Sequence, residues 1–201
     1  MPACSRRTFL ATAGLATAAV LSGRTATAAG LDAERRRQLD TFFSNFSETG
    51  LESFAAGHLS DAAMLDFALS HVLINARHEL KLSASGETGA ASAALVDKVT
   101  VRYFDQKLEA GRQPSYSVPI GDGEAYVFSQ VGDLRELGGG LFAATGSIFS
   151  APSGATIDPH AKPESWAKAG DDVEKVATFA ATIKQIDKRF VLVEYQMQPV
   201  D

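Results

Sequence analysis

The sequence predicts an α+β domain in which about three N-terminal helices form a layer packed on an antiparallel sheet of about four strands from the C-terminal half. Three observations predict it. Apolar residues recur every three to four positions between residues 32 and 105. Beyond residue 110 the period drops to two, and Gly111, Pro114, Pro119, Gly121-Asp122-Gly123 and Gly138 to Gly140 punctuate the chain as turns. Finally, the stretch Ser60 to Lys81 is apolar on two flanks, so neighbours must cover it from both sides.

Before the first predicted helix, Arg6-Arg7 stands immediately ahead of a modest apolar run from Phe9 to Leu21, and Ala26-Thr27-Ala28 offers small residues where a signal peptidase cuts. About 13 apolar residues are too few to span a bilayer comfortably. The segment resembles a twin-arginine signal peptide, whose recognised features are matched here by Arg6, Arg7, Phe9 and Leu10. That resemblance implies export in the folded state by the twin-arginine translocase, removal of residues 1–28 by signal peptidase, and a periplasmic or secreted destination. Substrates of this route often carry a cofactor loaded before export, but the sequence identifies none. Cys4 is the single cysteine and would leave with the signal, so the mature chain has no thiolate for catalysis, disulfides or metal ligation.

Cleavage after Ala28 removes 28 of 201 residues and leaves a single α+β domain of 173, enough chain to bury a core. The signal carries three arginines and no acid, so the formal net charge of −5 becomes −8 on maturation. Such a surface repels phosphate backbones and anionic lipid, and no other run approaches membrane-spanning length. Nucleic acid and membrane are therefore excluded as expected partners of the mature protein.

Asp32 caps the first predicted helix, whose apolar positions are Leu39, Phe42, Phe43 and Phe46, and Thr49-Gly50 ends it. The arginines Arg35 to Arg37 read as a solvated face neutralised by Asp32, Glu34 and Asp40. Ser60 caps the second helix. One stripe of it holds Leu65, Leu69, Val72, Leu73, Ala76 and Leu80, and the other holds Met64, Phe67, Ala68, His71 and Ile74. After the loop Ser83 to Gly89, a third helix is expected from Ala90 to Asp105.

Strands follow within 125–197: Ala125 to Val131, Leu141 to Ser150, and a long hairpin of Val173 to Ile186 with Phe190 to Met197, turning at Asp187-Lys188. Ala177, Phe179, Ala181 and Ile183 line the apolar face of its first strand. The layout is reminiscent of cystatin-like and NTF2-like folds, in which a bent sheet wraps helices and which host carriers, inhibitors and enzymes alike.

Two places are candidates for ligand contact. On the second helix His71, Asn75 and His78 fall at spacings of four and three and are expected to share a face. Imidazoles so placed can bind metal or pass a proton, but equally can be satisfied within the fold, and no recognisable metal-ligand spacing is present. The other is the long connection Ala151 to Asp172, where Asp158, His160 and Trp166 are placed at a pocket mouth, or Trp166 pins the loop to the sheet. No nucleotide fingerprint, nucleophile elbow or acid-base pair stands out, and no catalytic residue is assigned. The expected function is a non-enzymatic ligand-binding or protein-interaction domain of the cell envelope. The alternative is a metal- or histidine-dependent enzyme working through His71 and His78.

Overall fold

A computed structural model describes residues 31–121 and 125–200. Arg6, Arg7, Phe9 and Leu10, expected to direct export, Ala26 and Ala28, expected at a cleavage site, and Asp122-Gly123 of the expected turn lie outside the described residues. The α+β architecture is present, with helices first and a four-stranded sheet last.

Helix α1 (Ala33–Glu48) begins where Asp32 Oδ1 accepts the Arg35 amide hydrogen at 2.7 Å. It buries Leu39, Phe42, Phe43 and Phe46, the expected stripe. Helix α2 (Asp61–Asn75) is capped by Ser60 and stops at Asn75, about one and a half turns earlier than the apolar pattern suggested. Ala76 leaves the helical region, and Arg77–Glu79 forms a single 3-10 turn. Both expected flanks of α2 pack against the core, but neither is covered along its whole length. Met64, Phe67, Ala68 and Val72 are buried, Leu65, Leu69 and Leu73 are half-buried against the same core, and Ile74 is 49% exposed.

The residues after α2 form a second sheet that the periodicity did not reveal. Strands β1 (Lys81–Leu82), β2 (Thr88–Ser92) and β3 (Ser115–Pro119) pair antiparallel in that order, and helix α3 (Ala93–Phe104) starts only after β2. The segment Thr88–Ser92 reads TGAAS and has little intrinsic strand preference; its pairing with Ser115–Pro119 supplies what propensity does not.

The larger sheet runs in sequence order: β4 (Ala125–Gly138), β5 (Leu141–Pro152), β6 (Glu174–Ile186) and β7 (Arg189–Pro199). The first hairpin turns through Gly138, Gly139 and Gly140, all in the left-handed region at φ of 91°, 62° and 78°, which side chains disfavour. Between β5 and β6 lies the short helix α4 (Pro163–Ala169). Ala177, Phe179, Ala181 and Ile183 of β6 are buried as expected. The main core joins α1 to this sheet through aromatic contacts, Phe43 to Phe179 at 4.5 Å and Phe46 to Tyr195 at 6.1 Å. A smaller cluster of Phe128, Phe149, Ala151 and Trp166 packs apart from it.

In order β4-β5-β6-β7, strand β4 is an edge, and α1 seals it with side chains. Ser44 Oγ accepts the Ser129 amide hydrogen at 2.9 Å and donates to the Ser129 carbonyl at 3.5 Å. One turn back along α1, Asp40 Oδ1 accepts the Val131 amide hydrogen at 2.7 Å, and Arg36 Nη1 donates to the Val131 carbonyl at 2.6 Å. Four helical residues advance about 6 Å and two strand residues about 6.7 Å, so positions 40 and 44 keep step with Val131 and Ser129, and Arg36 adds a second bond at Val131. The solvated face expected at Arg35 to Arg37 is corrected accordingly. Arg36 is engaged with β4, the Arg35 guanidinium lies over Phe142 and Phe190 at 5.3 and 5.5 Å, and Asp40 is 2% exposed.

Candidate functional site

The polar series on α1 has one more member, Glu48, and one more edge position would follow on β4, Val127. There the pattern breaks. The Glu48 carboxylate turns to α2, where Oε1 accepts a hydrogen from Asn75 Nδ2 at 2.5 Å. Between α1, the C-terminal end of α2, the start of β4 and residues 153–160 a cleft of about 990 Å³ opens, with Glu48, Asn75, Arg77, Val127 and His160 on its walls. Ile74 and Tyr126 stand at the same cleft and are 49% and 37% exposed, among the few large apolar side chains left that open.

His160 reaches this wall from the long connection. Its Nδ1 lies 3.3 Å from Asp40 Oδ2, so one buried carboxylate holds both the β4 edge and the loop. Burial raises the Asp40 pKa above the usual carboxylate range, with the hydrogen bonds from Val131 and His160 and the charge of Arg36 acting against it. Two of the three residues expected to form a pocket mouth in this connection have another task. Asp158 folds the loop, accepting the His160 amide hydrogen on Oδ1 at 2.9 Å and the Trp166 Nε1 hydrogen on its carbonyl at 2.9 Å. Trp166 is buried edge-on against Phe128 and Phe149, pinning the connection to the sheet.

The shared face expected for His71, Asn75 and His78 does not form, because α2 ends at Asn75 and His78 lies exposed on the 3-10 turn. His71 and Asn75 do meet. Asn75 Nδ2, already donating to Glu48, lies 3.3 Å from His71 Nδ1, which makes Nδ1 an acceptor and puts the ring proton on Nε2. The ring stacks on Phe67 at 5.7 Å and meets Tyr103 edge-on at 4.9 Å. Burial pushes its pKa down to about 4, so the imidazole is neutral near pH 7. It borders a second groove of about 790 Å³ beside Leu95, Val99 and Tyr103 of α3. Burial raises the Glu48 pKa, and the bond from Asn75 opposes that rise. Among the described residues, no three histidine, cysteine, aspartate or glutamate side chains gather as a ligand set.

Glu48 and Asp40 were not singled out from the sequence, although a signal was there. Arg36, Asp40, Ser44 and Glu48 recur at intervals of four directly beside the apolar stripe of α1. Polar residues at that interval on the flank of a buried stripe face another element rather than solvent.

No known protein family matches the chain, no curated protein matches it, and no solved structure matches it.

Proposed function

We propose that this chain is an exported, non-enzymatic ligand-binding domain of the cell envelope, and that its ligand occupies the cleft between α1, the end of α2, the start of β4 and residues 153–160. One observation carries the reading. Four segments far apart in sequence converge there, fastened by Asp40 to His160 and by Glu48 to Asn75, and the resulting walls combine hydrogen-bonding groups with exposed Ile74 and Tyr126. Preformed clefts of several hundred cubic ångströms with few convergent polar groups and apolar lips are the usual form of a small-molecule site. The twin-arginine translocase and signal peptidase are the partners in export, and the periplasm or exterior is the destination.

The test is a ¹⁵N-detected screen of the purified protein with a fragment library of neutral, cationic and anionic compounds. Binding at this site moves the amide signals of Glu48, Asn75, Val127 and His160 together, and Glu48→Gln with Asn75→Ala weakens it. Fragments that gather instead in the α2 to α3 groove, or nowhere, overturn the assignment. Export is tested separately: Arg6→Lys with Arg7→Lys is expected to leave the precursor in the cytoplasm.

A histidine-dependent enzyme is the second reading, and the Asp40 to His160 contact is the observation that favours it. A carboxylate at Nδ1 orients an imidazole, as an acid-base group requires. His71 and His78 serve that reading poorly, since one is a buried neutral acceptor and the other is on a separate turn.

A further inference from the structure

We infer that the cleft binds an extended, basic peptide segment, which adds as a strand to the exposed edge of β4 at Val127. The inference rests on the reading of this cleft as the ligand site and names the class of ligand.

The argument starts from the edge itself. In an antiparallel ladder the amide and carbonyl of one residue both point to the same side, and the direction alternates along the strand. Ser129 and Val131 turn these groups away from β5, since α1 side chains bind them. Alternation carries the same outward direction to Val127, because the register between β4 and β5 is unbroken from Ala125 to Val131. An edge strand with free donors and acceptors is a template for another strand, and proteins normally cover it. Here the cover is built with side chains of one helix at Val131 and Ser129 and then withheld at Val127 and, by the same alternation, Ala125, both of which line the cleft. Glu48 stands at the next step of the series, yet its bonded oxygen is committed to Asn75 on α2. Among the described residues no side chain bonds the Val127 main chain.

What fits there must present a main-chain donor and acceptor in an extended line, and this is how peptides are recognised by strand addition. Side chains of an added strand alternate, so one set points towards α1 and Glu48 and the other outward past the lips of the cleft. Among the described residues, Glu48 is the acidic group in this lining, with Asp40 behind it fully engaged. Arg77 is an exposed base of the same lining, and the mature chain as a whole is acidic. A lysine or arginine on the inward-facing position therefore complements Glu48, while Ile74 and Tyr126 offer apolar contact to the outward positions.

An array of random hexapeptides, probed with the purified full-length protein, supplies the ligand. The tightest binder is remade with each amide N-methylated in turn. The expected result is a spacing of two: methylation at the two positions whose amides face the carbonyls of Ala125 and Val127 weakens binding about tenfold or more, and methylation of the position between them changes it little. Val127→Pro removes the edge amide and is expected to weaken binding about tenfold. Glu48→Gln is expected to weaken lysine- and arginine-containing binders about fivefold more than neutral ones. A methylation scan without alternation overturns the inference, and because it alters only the peptide, it decides the matter even if Val127→Pro fails to fold. If no hexapeptide binds while non-peptide fragments still shift Glu48, Asn75 and His160, the strand-addition inference falls and the ligand site stands. If neither binds, both fall.

Discussion

Asp40 holds two partners from segments 91 and 120 residues away, and its environment shows the cost of that arrangement. Removing the carboxylate in Asp40→Ala leaves the Val131 amide buried without an acceptor and frees His160. Stability to urea is expected to fall by about 2 kcal/mol, since an unsatisfied buried donor costs about 1–3 kcal/mol. His160→Ala leaves that amide satisfied and is expected to cost about half as much. Equal losses would show that the loop contact, not the edge contact, is what Asp40 supplies. His71 yields a different prediction. Its pKa is about 4 in the fold against 6.5 for the free side chain, so between these values the unfolded chain binds more protons. Its contribution is complete above about 6.5 and is lost as pH falls towards 4. Asp40 and Glu48, both raised, act with the opposite sign over the acid range, because the folded state then takes up protons more readily. The clean readout is therefore a difference. His71→Phe keeps an aromatic ring beside Phe67 and Tyr103 and is expected to lose less stability than the parent between pH 7 and pH 4.5, measured by urea titration at each pH.

At the level of elements, the C-terminal hairpin was legible because each strand carries its own alternation and turn residues, whereas β4 runs seven residues past the expected Val131 to Gly138, beyond the register shift at Val131/Asp133. Val173 to Ile186 was expected and Glu174–Ile186 is observed; Phe190 to Met197 was expected and Arg189–Pro199 is observed. Helix α1 was legible for the same reason, its stripe and its cap being local. The errors came where neighbours decide. The end of α2 at Asn75 and the short strands β1 to β3 depend on pairing between residues 81–92 and 115–119, which no window of the sequence contains. The site divided along the same line. His160, Asn75 and the long connection were visible as unusual polar or loop features, whereas Asp40 and Glu48 acquire meaning only against β4 and α2. Gly146 on β5 lies directly under the Phe179 ring. A Cβ there would lie 2.5 Å from Phe179 Cε1 and 2.2 Å from the Gln130 carbonyl oxygen. The second contact is with backbone of the paired strand and has no easy escape. Gly146→Ala is accordingly expected to destabilise by about 1–3 kcal/mol, the range for overpacking, although alanine is otherwise the better residue in a strand. A melting temperature equal to that of the parent would show that β4 and β5 shift apart freely at this point.

The whole molecule has a large core and a small one, and its single tryptophan reports only the small one. Phe46, fully buried, touches rings from α1, α2, α3 and β7, so the helical layer and both sheets share one cluster and are expected to unfold together. Trp166 belongs instead to the cluster with Phe128 and Phe149, beneath the connection that forms one wall of the cleft. Few contacts fasten that connection to the rest: Gln130 Nε2 donates to the carbonyls of Pro159 at 2.6 Å and Ala161 at 2.8 Å, and His160 meets Asp40. Regions held by little buried surface and a few bonds open below the global transition. In the parent, tryptophan fluorescence and far-ultraviolet circular dichroism are expected to change at the same urea concentration, because all three bonds tie the small cluster to the main one. In Gln130→Ala two of them are lost, worth about 1–3 kcal/mol together, and the fluorescence transition should move to lower urea ahead of the dichroism transition. Coincident transitions in the variant would mean that Trp166 packing alone holds the wall of the cleft. Separate transitions in the parent would mean that this wall is already a mobile gate over the β4 edge, and peptide binding should then restore coincidence by stabilising the closed form.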